Sequence, residues 1–171
     1  MSTHLAPGLL PADHVAMMAK GVSVIVSACG AGGPSIMRAV GSRVEAGGAS
    51  VTVFLSRRQS GPLLGDLAAT GAIAVVFSEP ISHRTVQVKA SRLTMRSADT
   101  TDLPALQAYR TSMEHEVGLV GFAPAFVRAM LAFTLDDLVA VHFVPEQAFN
   151  QAPGPRAGAT LAPDAAGAAA P

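Results

Sequence analysis

The chain has 171 residues, of which 50% are hydrophobic and 14% are charged, and its 12 basic and 12 acidic residues leave a formal net charge of zero. This length suffices for one globular domain with its own core. The balanced charge argues against a nucleic-acid binder, whose affinity depends on many Lys and Arg contacts to phosphate. The single cysteine, Cys29, cannot form an internal disulfide, which favours a reducing compartment.

The N-terminal segment does not have the pattern of an export signal. It lacks a cationic stretch followed by a continuous apolar stretch, and Pro7, Pro11 and Asp13 interrupt its apolar residues. The longest uncharged run is broken by several glycines and Pro34, so it falls short of the roughly 20 apolar residues that span a bilayer. We therefore expect a cytoplasmic protein without a membrane segment.

The first third of the chain carries three strand patterns. Residues Val22–Ala28 alternate apolar and small polar side chains and are rich in β-branched residues. After a glycine-rich turn, residues Ser35–Val44 alternate again, and Val51–Leu55 form a third apolar run. The short connections predict an antiparallel meander of three strands.

A short helix and a hairpin are predicted next. Ser60 is a candidate N-cap, Pro62 falls in the first turn and Gly71 is a typical C-terminal stop. Residues Ala72–Phe77 form an apolar strand pattern, and the alternating run Arg84–Met95 follows it after a turn. These two runs predict strands four and five, paired as a hairpin.

The last third combines a helical insert with one more strand. From Asp102 to about Gly118, apolar residues recur at spacings of three and four, and this pattern resumes after Pro124. Residues Leu138–Val144 return to a two-residue period and predict strand six.

The order of these elements predicts one α+β domain. We expect a small six-stranded antiparallel split β-barrel with a short helix after strand three and a helical insert before the last strand. Residues 151–171 are rich in Ala, Gly and Pro and contain few large apolar side chains. We therefore predict a domain over residues 1–150 and a C-terminal arm or tail over residues 151–171.

Common catalytic motifs are missing from the sequence. The glycines at 30–33 precede a predicted strand instead of a helix, which disfavours dinucleotide binding. The sequence has neither a phosphate-binding loop with Lys nor a GxSxG nucleophile elbow. Glu114, His115 and Glu116 are adjacent, a spacing that does not suit a metal site on a helix, and we place them on an exposed helix face. We predict no metal site, and no side chain is indicated as a catalytic acid or base.

Three polar clusters interrupt the apolar strands. They are Arg38 in strand two, the run from Ser56 to Ser60 after strand three, and Thr85, Gln87 and Lys89 in strand five. The last cluster has a period of two, so it lies on one face of its strand. The start of the Ser60 helix together with an Arg side chain forms a candidate phosphate site. A solvated sheet face beside a capped helix is the alternative.

Four segments resemble the pyridoxamine 5'-phosphate oxidase-like family of FMN-binding split barrels. They are RAV at 38–40, VTVFLSRRQSGPLLGDLAATGAIAVVF at 51–77, RTVQVKASRL at 84–93 and FNQAPGPRAGATL at 149–161. The likeness covers roughly residues 20 to 161. It implies a homodimer that binds FMN at the subunit interface.

The resemblance also implies a set of FMN-binding residues. Carried over position by position, they are Arg38, Ala39, Val40, Leu55, Ser56, Arg57, Arg58, Ser60, Thr85 and Gln87. The family often has a phosphate-binding Lys where this chain has Pro62, so Arg57 or Arg58 is expected to replace it. The residues that bind the vitamin B6 substrate are not recognisable, and we do not predict a vitamin B6 oxidase.

The resemblance leads to three functional hypotheses. The first is an FMN-dependent oxidoreductase that acts on an unidentified small molecule, with the flavin carrying the hydride. The second is a non-catalytic haem- or flavin-binding protein of the same fold, in which His83 or His142 would be an axial haem ligand. The third is a deazaflavin-dependent reductase.

Overall fold

The computed structural model describes residues 9–162 of the chain, and in these residues no helix is long and apolar enough to cross a bilayer. This part contains four α-helices and nine β-strands. In chain order they are α1 (Ala12–Ala19), β1 (Ser23–Gly30), β2 (Gly33–Arg38), β3 (Gly41–Val44), β4 (Val51–Ser56), α2 (Gly61–Thr70), β5 (Ile73–Ser78), β6 (Thr85–Ala90), β7 (Leu93–Ser97), α3 (Leu103–Leu119), α4 (Pro124–Met130), β8 (Leu138–Phe143) and β9 (Gln147–Asn150).

The strands form two antiparallel sheets. The five-stranded sheet has the order β2-β1-β5-β6-β9, and the four-stranded sheet has the order β3-β4-β8-β7. The α+β class, the antiparallel pairing and the β5–β6 hairpin are confirmed. The predicted count of six strands is wrong, because two predicted strands are each divided and β9 was not predicted.

The predicted strand Ser35–Val44 is two strands in different sheets. The backbone N–H of Ala39 donates to the Val24 carbonyl at 3.0 Å, and that of Val40 donates to the Phe54 carbonyl at 2.9 Å. The chain thus leaves one sheet and enters the other within two residues. The single three-stranded meander is therefore wrong, because β2 pairs with β1 and β3 pairs with β4.

The predicted strand Arg84–Met95 is divided in the same way. It becomes β6 in the five-stranded sheet and β7 in the four-stranded sheet. At the break, Ser91 donates its backbone N–H to a carboxylate oxygen of Glu146 at 3.0 Å. Helix α1 was also not predicted; it buries Met17 and Met18 against the core.

The core lies between the two sheets. On β6, Val86 and Val88 are buried while the alternate residues are half-exposed, as the two-residue period predicts. Leu63 and Leu67 of α2 close this core at one side. Helix α3 covers the opposite face of the four-stranded sheet, where Leu106 packs in a second apolar cluster.

After β9 the chain folds back on β6 and β9 as far as Leu161. Leu161 donates its N–H to the Ala148 carbonyl at 2.9 Å, and Phe149 forms an isolated bridge with Thr160. Gln151 donates its N–H to the Thr85 carbonyl at 2.8 Å. Residues 163–171 lie outside the described residues, and the domain boundary at 150 stays a prediction.

Candidate functional site

The loop between β4 and α2 carries the predicted phosphate-binding residues. Ser56 ends β4, Arg57 and Arg58 are exposed, and Ser60 directly precedes α2. The crossing segment at 38–40 lies beside it, because Val40 donates to the Phe54 carbonyl. This bond places the backbone of Val40 next to the strand that leads into the loop, whereas the Arg38 side chain donates to Ser23 of the five-stranded sheet. The side chains of Ala39, Val40 and Leu55 are buried, and the N–H groups of Ala39 and Val40 already donate to carbonyls of the chain.

Asp137 organises this loop. Its Oδ2 accepts a hydrogen bond from Ser56 Oγ at 2.5 Å, and its Oδ1 accepts from the backbone N–H and from Nε of Arg58 at 3.1 and 3.2 Å. These donors, the Ser56 hydroxyl first, hold the pKa of Asp137 below its usual value. A carboxylate of the chain itself thus already occupies Ser56 and Arg58. Sequence reasoning missed Asp137, which is 81 positions from Ser56.

Arg57 and the start of α2 remain available to an anion. Arg57 Nη2 donates to Ser97 Oγ at 3.2 Å and its guanidinium does not pair with a carboxylate in the described residues. The first-turn N–H groups of a helix have no intrahelical acceptor, although Pro62 supplies no N–H. Ser60 is 1% exposed, and its Oγ has no partner in the described structure. A buried hydroxyl without a partner is costly, and a bound phosphate oxygen would satisfy it. The residues present therefore fit a phosphate group.

Replacing Ser60 by Ala is expected to leave the free energy of unfolding unchanged or to raise it by up to about 1 kcal/mol. An N-cap Ser usually contributes about 0.5–2 kcal/mol, but the Ser60 side chain makes no capping hydrogen bond. Urea denaturation measures the difference. The matched control is Ser56→Ala, which removes the hydrogen bond to Asp137 and should cost about 1–2 kcal/mol. Equal losses in both variants would contradict this account.

The third predicted cluster lies on the outer face of the five-stranded sheet. The strand register places Arg38, Ile25, Val76, Gln87 and Phe149 in one row across five strands. All five residues are half-exposed, while the opposite face of the sheet forms the core. The row combines a cation and an amide with apolar side chains, which suits a planar ring with polar edges.

Hydrogen bonds within the chain position the polar residues of this face. Arg38 Nη1 donates to Ser23 Oγ at 2.8 Å, and Thr85 Oγ1 is 2.8 Å from Ser78 Oγ. Gln87 Oε1 accepts from Gln151 Nε2 at 3.4 Å. The side-chain hydrogen bonds of Thr85 and Gln87 in the described structure go to Ser78, His83 and Gln151, and none reaches the β4–α2 loop, which follows a strand of the other sheet. A single chain therefore does not unite all three clusters.

The two histidines considered as haem ligands lie apart from each other. His142 is on β8 of the four-stranded sheet, and its Nδ1 is 3.2 Å from Thr52 Oγ1. His83 lies in the β5–β6 turn with a φ of 58°. Among residues 9–162, no group of three or more His, Cys, Asp or Glu is arranged for a metal ion. Glu116, expected on an exposed helix face, is instead buried and pairs with Lys20 at 2.8 Å.

The fold is shared with several solved structures. One from Lactobacillus delbrueckii, provisionally assigned as a pyridoxamine 5'-phosphate oxidase, has a TM-score of 0.51 and 14% identity over 87% of this chain and 99% of its own. HupZ of Group A Streptococcus has a TM-score of 0.53 and 12% identity over 87% of this chain and 100% of its own. A structure named F420 reductase has a TM-score of 0.54 and 11% identity over 78% of this chain and 93% of its own.

Sequence comparison adds nothing to these structural likenesses. No family model matches the chain, and no curated protein matches it. The structural likenesses, all at low identity, show the fold alone. The chain has the fold of the pyridoxamine 5'-phosphate oxidase-like proteins.

Proposed function

We propose that this chain, with its pyridoxamine 5'-phosphate oxidase-like fold, binds FMN and acts as an oxidoreductase on a small molecule. The observation that carries the proposal is the β4–α2 loop. There the buried, unpartnered Ser60 hydroxyl, the exposed Arg57 guanidinium and the start of a ten-residue helix lie within four residues of one another. Such a combination favours the binding of an anion at this loop.

Each part of the chain has a defined task in this proposal. Bound FMN supplies the hydride or electron transfer, which explains why no acid or base stands out in the sequence. Arg57, the Ser60 hydroxyl and the first turn of α2 bind the phosphate. Asp137 fixes the loop through Ser56 and Arg58. The backbone of residues 38–40 and the sheet row that contains Gln87 orient the ring and exclude water.

We further propose that a second copy of the chain completes the site. No hydrogen bond joins the loop to the Thr85–Gln87 face within the described chain, and this face remains partly accessible, with Ile36 at 67% exposure. A homodimer would place the sheet face of one copy against the loop of the other. Light scattering should then give a mass of twice 17.4 kDa. A monomer at micromolar concentration would contradict the shared site.

A deazaflavin is the second candidate cofactor. It is favoured by the structural likeness to the protein named F420 reductase. The proposed phosphate contacts would serve either cofactor, because both carry phosphate on a side chain attached to a tricyclic ring. The choice between them depends on the ring and on the groups beyond the phosphate, so direct binding measurements must decide it.

Titration of the purified, ligand-free protein with FMN, riboflavin and F420 tests the proposal. We expect FMN to bind at least about tenfold more tightly than riboflavin, because riboflavin lacks the phosphate that Arg57 and α2 would bind. F420 binding with no FMN binding would replace FMN by the deazaflavin. The absence of binding for all three compounds would refute a flavin function for this chain.

A further inference from the structure

A cavity between α3 and α4 lies outside the β4–α2 loop. Its volume is about 480 Å³, within the range of roughly 300–1,000 Å³ that is typical of small-molecule sites. Leu103, Leu106 and Arg110 of α3 line one side, and Arg128 of α4 and Phe133 line the other. The sequence patterns did not single out this cavity, because its walls come from two helices that only tertiary packing brings together.

The cavity carries positive charge that the described chain does not neutralise. Arg110 and Arg128 line it, and no carboxylate does. Neither guanidinium contacts an acidic or hydroxyl side chain within residues 9–162, whereas Arg58 and Arg96 each pair with an aspartate. Two unpaired guanidinium groups on one cavity favour the binding of an anion.

The cavity also has a fixed apolar floor. Leu106 is 1% exposed and packs with Phe54 and Ala140 of the four-stranded sheet, and Phe133 packs against the same cluster. Leu103, at the start of α3, is 39% exposed. A ligand that fits both the apolar floor and the two arginines has an apolar body of one or two rings and an anionic group at one end.

We propose that this cavity binds a small organic anion, with its apolar body on Leu103 and Phe133 and its carboxylate or phosphate at Arg110 and Arg128. An adjoining cavity shares Phe133 and extends to Ser56 and Arg58. The proposed anion site therefore adjoins the β4–α2 loop, and binding of the anion does not depend on FMN.

Calorimetric titration of the full chain, without added flavin, tests the binding with two probes of similar shape. We expect 2-naphthoate to bind about tenfold more tightly than the neutral 2-naphthalenemethanol. The variant Arg110→Gln/Arg128→Gln should bind naphthoate about tenfold more weakly and the alcohol unchanged. The matched control is Arg92→Gln, a 92% exposed arginine outside this cavity, which should bind both probes as the parent chain does.

Three results would overturn the proposal: equal affinities for the two probes, no binding of naphthoate at millimolar concentration, or an equal loss in the Arg92→Gln control. Competitive displacement of naphthoate by FMN would also overturn it, because the flavin itself would then occupy the cavity. If the double variant does not fold, the exposed Arg128→Gln alone should show a several-fold loss for naphthoate, and an unchanged affinity would count against the site.

Discussion

The double variant Arg57→Ala/Arg58→Ala is expected to bind FMN about 100-fold more weakly than the parent chain. A hydrogen bond to a charged group contributes roughly 1.5–3 kcal/mol, so loss of the Arg57 contact to phosphate alone accounts for at least tenfold. Loss of Arg58 adds to this, because Arg58 partly neutralises Asp137 at 3.2 Å and an unpaired Asp137 carboxylate would repel the phosphate. Fluorescence quenching of FMN measures both affinities.

Riboflavin provides the internal control for this prediction. It lacks the phosphate, so its affinity should change less than about threefold in the same variant. The single variant Arg57→Ala should show most of the FMN loss, since Arg58 is held by Asp137. An FMN affinity within twofold of the parent value in the double variant would show that the phosphate does not bind at this loop.

Replacement of Asp102 by Ala is expected to lower the free energy of unfolding by about 3 kcal/mol. Asp102 is fully buried and accepts hydrogen bonds from both Nη atoms of Arg96 at 2.7 Å and from the backbone N–H of Asp99 at 3.1 Å. Removing one partner of a buried pair usually costs about 3–5 kcal/mol, and the lower end applies because Arg96 is half-exposed. The matched control is Glu45→Ala, which removes an exposed partner of Arg43 and should cost less than about 0.5 kcal/mol.

The stabilisation by Asp102 should also depend on pH. The hydrogen bonds from Arg96 hold the pKa of Asp102 below its usual value of 3.8. A carboxyl group whose pKa is lowered by folding stabilises the native state above its unfolded pKa, and the stabilisation is lost as the pH falls through the folded pKa. The difference in unfolding free energy between the parent chain and Asp102→Ala should therefore shrink below about pH 4. A constant difference from pH 7 to pH 3 would show that the carboxylate charge is not involved.

The sequence predicts the regular strands of this fold better than the crossings between its sheets. The period of two in Val22–Ala28 and in Thr85–Ala90 identifies strands and their buried faces, because one face of each packs on the core. The run Ser35–Val44 keeps that period although the chain changes sheets at Ala39. Gly41 begins the strand after this change, and its lack of a side chain makes room for helix α3, since a Cβ there would lie 2.7 Å from Leu106 Cδ2.

In the candidate site, too, local features could be predicted from the sequence and long-range contacts could not. The loop from Ser56 to Ser60 could be found from its arginines and the helix start that follows, which are local features. The engagement of Ser56 and Arg58 by Asp137 could not, because it joins segments far apart in the chain. The placement of Arg110 and Arg128 on one cavity likewise depends on how α3 packs against α4.

The most direct test of the central proposal is the visible absorption spectrum of the purified chain, with mass spectrometry of the small molecule that heat releases. The account predicts a flavin spectrum and the mass of FMN in the supernatant. A colourless protein that also fails to bind added FMN would contradict it, and the fold would then stand without a flavin function. A haem absorption band would contradict it as well and would favour the haem-binding alternative for this chain.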